Sequence, residues 1–342
     1  MKISILGTGR WASCIGLCLD RQNYNVLMYE RKHSDRPQSD LFLTGKNKYV
    51  ALSINVSYTT DLELAINYGD VIVISILSQQ LDNFMQSIKQ VHGYENKKYV
   101  LAMKGIEATT GRRLSEILID NGVKRDNIAV WVGPGHVQSI ANGQPTNMII
   151  SAYDRVLAEQ LVKAFTDKYK IDISYSTDIV GTEIGAAAKN VIGIAAGILE
   201  GSKLEQKKGP LMPASVKEIG KFIDAVGGEA ETSYGLAFLG DFQATLFDHN
   251  SKNLTYGKTI VEQQTTDTEL IKDFVDVNSV EGIMTAKALI KRLIEVNSKV
   301  SNEKQIRMPI TQAVNDIIDG KVDISTAGEY MSRQITAALN LD

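Results

Sequence analysis

The chain has 342 residues, enough for two domains, and its 44% hydrophobic and 23% charged content is ordinary for a globular protein. A formal net charge of −3 carries no basic footprint, which argues against a nucleic-acid partner. No uninterrupted apolar run reaches the about 18 residues of a membrane helix, so no span is expected.

Met1 to Gly7 goes straight into a strand pattern and lacks the features of a signal peptide. Ile3 to Leu6 is that short strand. Gly7-Thr8-Gly9-Arg10-Trp11-Ala12 follows, then a helical pattern through Ile15, Leu17, Cys18 and Leu19. The two cysteines, Cys14 and Cys18, lie four apart on that helix. They are too few for a disulfide framework or a structural zinc site, so they read as packing residues in a reducing cytoplasm, and no metal site is expected. A second strand, Asn25 to Tyr29, ends at Glu30. Strand, glycine-rich turn, helix, strand and then an acid about 20 residues on is the order of a dinucleotide-binding unit. Gly7 permits the tight turn, Gly9 lets backbone N–H groups approach a pyrophosphate at the helix N-terminus, and Ala12 fills the third position. Glu30 suits the ribose 2′-hydroxyl of NAD, whereas the adjacent Arg31 and Lys32 suit the 2′-phosphate of NADP. The pattern leans slightly to NAD and leaves both open.

The alternation continues with strands at Asp70–Ile76, Tyr99–Met103, Ile128–Val132, Asn147–Ser151 and Asp172–Tyr175, with helices from Ser78 and near Arg155–Lys168. Lys104 and the turn Gly133-Pro134-Gly135-His136 fall at the carboxyl ends of strands, where open α/β sheets bind ligands. From Ile179 onward strand patterns nearly vanish. Helices are expected at Val180–Leu199, Pro213–Ala225, Val280–Val296 and Met308–Asp319. Leu239–Phe242 and Asp248–Asn253 read as polar loops, and Glu262–Asp273 as a solvated segment. The expected fold is therefore an α/β Rossmann-type domain over residues 1–178 and an all-helical domain over 179–342 that carries the substrate site.

The run Gly181-Thr182-Glu183-Ile184-Gly185-Ala186-Ala187-Ala188-Lys189-Asn190 is rich in small residues, which lets a neighbouring backbone come close. A lysine beside an amide in such a helix is what carbonyl reduction needs: a proton donor and an orienting group on a rigid element.

Taken together, these motifs resemble the NAD(P)-dependent glycerol-3-phosphate dehydrogenases of the bacterial type. The ordered set is Gly7–Ala12, Lys104–Glu107, Gly133-Pro134 with Ala141–Thr146, Gly181–Gly201, Gly240-Asp241, Ser251-Lys252-Asn253, Val280–Gly282 and Met308–Ile310. The resemblance implies a helical second domain of the 6-phosphogluconate-dehydrogenase kind, a homodimer, and reduction of dihydroxyacetone phosphate to sn-glycerol 3-phosphate for phospholipid synthesis. By position it makes Lys189 the catalytic lysine, Asn190 and Asp241 its substrate-orienting pair, and Lys104 a lysine shared by substrate and cofactor. Gly133, Gly135 and Thr245 fall at substrate-contacting positions. Ser251, Lys252 and Asn253 match the phosphate-binding triplet. Arg10, Trp11, Arg31, Val137, Lys252, Ser279 and Glu281 fall at cofactor-contacting positions. Two departures bear on the substrate: Lys252 stands where the family has arginine, and Gly135 where it has serine. They keep open a dehydrogenase acting on a different small polar hydroxy compound; a non-catalytic dinucleotide-binding protein is the remaining alternative.

Overall fold

A computed structural model of the chain describes residues 1–32, 34–35, 37–167, 171–246, 251–277 and 280–341. It forms two units, Met1–Lys104 with Leu114–Ile179, and Gly105–Arg113 with Val180–Asp342.

The first unit is built on eight strands: β1 (Ile3–Leu6), β2 (Val26–Tyr29), β3 (Val56–Thr59), β4 (Val71–Ile74), β5 (Lys98–Leu101), β6 (Ile128–Val132), β7 (Thr146–Ala152) and β8 (Ile171–Ser176). They lie in the order β3-β2-β1-β4-β5-β6-β7-β8. All neighbours run parallel except β6 and β7. Strands β1, β2 and β4, apolar but for Ser4, are buried throughout, as strands covered on both faces must be. The sequence reading misses β3, an edge strand only four residues long and partly exposed. Helices α1 (Arg10–Arg21), α2 (Asp40–Thr44), α3 (Leu62–Tyr68), α4 (Leu81–Ile88), α5 (Leu114–Asp120), α6 (Val137–Ala141) and α7 (Arg155–Phe165) complete the unit. Cys14 and Cys18 are free thiols buried in α1.

The sheet runs one way from β1 through β2 and the other way through β4, which makes the β1/β4 boundary the place where ligands bind in such sheets. Gly7 sits there at φ +129°, and a Cβ on it would come within 2.3 Å of the Ser75 carbonyl oxygen. Only glycine fits, both for its dihedral and for its neighbour.

The second unit holds α8 (Ile179–Gly201), α9 (Lys208–Ala225), α10 (Asp241–Leu246), α11 (Lys252–Glu262), α12 (Thr268–Ile271), α13 (Glu281–Asn297), α14 (Pro309–Ile318) and α15 (Ala327–Leu339). Helix α8 meets the length and mean hydropathy of a membrane-crossing segment, although Glu183 and Lys189 interrupt its apolar run. However, 89% of its apolar window is buried inside the fold, so that surface is turned to protein. The Leu239–Phe242 stretch is no loop: a π-turn over Leu236–Gly240 feeds α10, and Asp241 and Phe242 are buried. Of Asp248–Asn253, residues 248–250 lie outside the described residues, and the rest opens α11. Ser251 caps that helix by accepting from the Leu254 N–H. Within Glu262–Asp273, Ile271 is fully buried, so this segment is anchored.

Helices α8 and α11 touch backbone to backbone. A Cβ on Gly197 would lie 2.1 Å from the Leu254 carbonyl oxygen and 2.8 Å from the Lys258 nitrogen. A Cβ on Gly257 would lie 2.2 Å from the Ile194 carbonyl oxygen, and one on Gly201 2.7 Å from that of Lys258. Gly193, Gly197 and Gly201 recur every fourth residue and so line one face of α8. The segment Gly105–Arg113 is tied to the same unit by a nearly buried ion pair, Arg113 to Glu183 at 2.8 Å, and by Lys291 Nζ donating to the Thr109 carbonyl.

Glu218 in α9 is fully buried and caps α14, accepting from the Ile310 N–H at 2.7 Å, the Thr311 N–H at 2.9 Å and the Thr311 hydroxyl at 2.7 Å. Burial pushes its pKa from 4.5 up to about 7, against the opposing pull of those donors.

Two predictions follow from this packing. Gly197→Ala should lower unfolding free energy by about 3 kcal/mol or more in urea melts, since backbone on both sides cannot yield. Gly209→Ala is the control, because a Cβ there meets nothing within 4 Å, and it should be neutral or mildly stabilising. For Glu218 the folded pKa lies above the unfolded one. Its stabilising contribution is therefore complete below about pH 4.5 and is lost as pH rises through about 7. Urea melts across that window should show a decline on the order of 3 kcal/mol, and Glu218→Gln should flatten it.

Candidate active site

In the first unit the predicted cofactor residues gather around the start of α1. Gly9 is its N-cap, with no side chain closing the helix end, and a Cβ on Gly9 would meet nothing within 4 Å. The first N–H groups of α1 therefore open onto space a pyrophosphate can fill. Ala12 is fully buried against the sheet, which explains a small residue there. Arg10 lies 5.0 Å over the Tyr49 ring and donates to Gln138 Oε1 at 3.1 Å. Trp11 packs edge-on against Trp131 with centroids 6.0 Å apart. The sequence motif thus fits a dinucleotide both in the tight turn and in the uncapped helix end.

Glu30, just past β2, is buried, while Arg31 and Lys32 beside it are exposed. Its carboxylate is held by Thr8 Oγ1 at 2.6 Å, by the Ser39 N–H at 2.7 Å and by the Ser39 hydroxyl. Neither Thr8 nor Ser39 stands out in the sequence, because a loop threonine and a helix-capping serine have many ordinary uses.

Lys104, beyond β5, donates to the Gly133 carbonyl at 3.1 Å, so the first unit itself brings together two of the predicted substrate residues. Gly133 is at φ +133° with Met148 Cα 3.0 Å from where a Cβ would stand, which demands glycine. Gly135 is different: a Cβ there would make only ordinary contacts, 3.4 Å to Ile140, 3.5 Å to Met148 and 3.6 Å to Trp11. A Cβ would fit, so space around that atom does not by itself demand glycine. His136 precedes α6 as its N-cap residue, and the Val137 side chain is buried in the sheet core.

In the second unit Lys189 is nearly buried and its ammonium donates to Thr245 Oγ1 at 3.0 Å, with Asp241 Oδ1 at 3.5 Å. Thr245 Oγ1 in turn donates to the Asp241 carbonyl at 2.9 Å. The lysine, the carboxylate and the hydroxyl thus form one cluster carried by α8 and α10. Asn190 belongs to a second cluster. Its Nδ2 donates to Glu281 Oε2 at 3.0 Å, its Oδ1 accepts from Asn253 Nδ2 at 3.0 Å, and Asn253 Oδ1 accepts the Gly282 N–H at 2.9 Å. Both ends of this chain are unambiguous, a backbone donor and a carboxylate acceptor, so both amide orientations are fixed. Asn253 and Glu281 are therefore joined to Asn190, although the resemblance assigns them separate phosphate and cofactor roles. Ser251 and the exposed Lys252 stand at the first turn of α11. Ser279 lies outside the described residues.

A family description for the N-terminus of NAD-dependent glycerol-3-phosphate dehydrogenase matches residues 2–158, and the one for its C-terminus matches residues 178–329. The chain is 32% identical over 342 residues to a glycerol-3-phosphate dehydrogenase [NAD(P)+] of Sinorhizobium fredii, covering 98% of this chain and 97% of the relative. It is 35% identical to the protein of the same name from Rhizobium etli, covering 98% of each. Among solved structures, glycerol-3-phosphate dehydrogenase of Coxiella burnetii superposes with a TM-score of 0.81 at 22% identity, covering 99% of each chain, a likeness of fold. From the full-length match to these relatives, and from both halves of the family being present in order, the chain belongs to the NAD-dependent glycerol-3-phosphate dehydrogenase family.

Proposed function

We propose that this chain carries out the reversible NAD(P)H-dependent reduction of dihydroxyacetone phosphate to sn-glycerol 3-phosphate, supplying glycerophospholipid synthesis. The observation that carries this reading is the nearly buried ammonium of Lys189, held by Thr245 and Asp241 on a rigid helix. The names of its relatives support it.

Reduced nicotinamide, when bound, supplies a hydride to the ketone carbon. Negative charge then grows on the carbonyl oxygen, and Lys189 donates the proton there. Asp241 pairs with the ammonium at 3.5 Å, and Thr245 takes one of its three donors and so sets its direction. Asn190, its amide orientation locked through Glu281 and Asn253, orients the substrate beside it. The capped first turn of α11 presents Ser251, the Lys252 ammonium and the positive end of the helix to a phosphate. In the first unit, Lys104, Gly133 and Gly135 fall at substrate-contacting positions by the same resemblance. Gly7, Gly9, Arg10, Trp11 and Ala12 hold the dinucleotide, with Glu30 and Arg31 at its ribose. The same reading takes the protein as a homodimer of the cytoplasm, in keeping with its two free thiols.

Lys189→Ala should lower kcat for dihydroxyacetone phosphate by roughly 10²-fold or more while leaving dinucleotide affinity unchanged. Near-normal turnover in that variant contradicts the assignment. Lys252→Ala should raise KM about tenfold with little change in kcat, whereas Lys252→Arg should preserve or lower KM because a guanidinium grips phosphate with two donors. Initial rates of reduced-nicotinamide oxidation measure both.

A further inference from the structure

We propose that Thr8 and Ser39 are positioning residues that fix the Glu30 carboxylate as the discriminator between NAD and NADP, an inference that rests on the dinucleotide reading of this site. Glu30 is only 9% exposed, and a carboxylate so placed needs donors. It has three. Oε2 accepts from the Thr8 hydroxyl at 2.6 Å and from the Ser39 hydroxyl, and Oε1 accepts from the Ser39 N–H at 2.7 Å. Each carboxylate oxygen offers two acceptor sites. Among the described residues Oε2 is therefore filled, and Oε1 keeps one site.

The donors are themselves held. Ser39 caps α2, its hydroxyl oxygen accepting the Phe42 N–H at 3.3 Å. Thr8 lies between the two motif glycines, and the Gly7 N–H is bonded to the Tyr29 carbonyl at 2.9 Å. The glycine-rich turn, the end of β2 and the start of α2 thus converge on one carboxylate. A fixed carboxylate with one open acceptor accommodates a ribose hydroxyl. A 2′-phosphate there meets like charge that cannot turn away. Arg31 and Lys32, exposed next along the chain, are the cations that gain a 2′-phosphate once Glu30 is released. The Thr8–Ser39 clamp accordingly decides whether the acid or the bases govern the site.

The test is fluorescence titration of NADH and NADPH into the full chain without any carbonyl substrate, giving a Kd for each. The variants are Ser39→Ala, Thr8→Val and Thr8→Ser, with thermal midpoints recorded alongside. The unsubstituted chain should favour NADH. Ser39→Ala and Thr8→Val should each shrink that preference about tenfold, the worth of one charge-assisted hydrogen bond, while Thr8→Ser retains it. If Ser39→Ala does not fold, Thr8→Val decides. A preference unchanged in the variants, with both dinucleotides still bound, overturns the clamp and leaves the dinucleotide site standing. A native preference for NADPH overturns it too. Binding of neither dinucleotide overturns the site reading itself, and the proposal with it.

Discussion

The close approach of α8 and α11 is the constraint on which the helical unit depends. Leu254 O and Lys258 N occupy the space where Gly197 would carry a side chain, and Ile194 O occupies that of Gly257. At such a distance the two helices have one relative placement, because a shift in either direction drives peptide groups into each other. Lys189 lies one turn before Gly193 on the same face, and Gly193 faces Asn253 and Thr245, whose atoms stand 3.3 and 3.4 Å from where its Cβ would be. The glycine face therefore does more than save room. It brings the polar residues of α10 and α11 within hydrogen-bond reach of Lys189 and Asn190.

The hydrogen-bond polarity then follows without further choice. Gly282 N–H can only donate and Glu281 can only accept, so the amides of Asn253 and Asn190 between them have one arrangement. Gly282 is itself confined, since a Cβ on it would fall 2.7 Å from the Asn190 carbonyl oxygen and 2.8 Å from Asn253 Oδ1. The start of α13 is thereby pinned to α8 by both shape and charge. Asn190 and Asn253 are both buried and bonded to each other, and Asn190 is bonded further to the exposed Glu281, so the two amides are held in one orientation.

Much of this was legible in the sequence because periodicity and glycine placement are local signals. The strand, turn, helix and acid at the N-terminus stood out by order alone, and so did the small-residue run around Lys189. Other features were hidden because long-range packing decides them. The edge strand β3 is short and partly exposed, so its four residues carry little pattern. The expected helix opened at Pro213, because proline favours a helix start, but α9 begins at Lys208 and carries Pro213 inside it. Asp241 read as a loop residue because its burial comes from neighbours on other helices. Roles were harder still. The spacing of Asn253 beside Ser251 and Lys252 gave no hint of its bond to Asn190, and nothing near Glu30 in sequence marked Thr8 or Ser39 as its partners.

The account stands or falls on one clustered ammonium serving a phosphorylated ketone. The most direct measurement compares kcat/KM for dihydroxyacetone phosphate with that for unphosphorylated dihydroxyacetone, with saturating reduced dinucleotide. The account predicts turnover of both and a preference of roughly 10³-fold or more for the phosphorylated ketone, since remote binding energy is spent on the reacting centre. Equal efficiencies, or no turnover of either ketone by a chain that binds the dinucleotide, would contradict it.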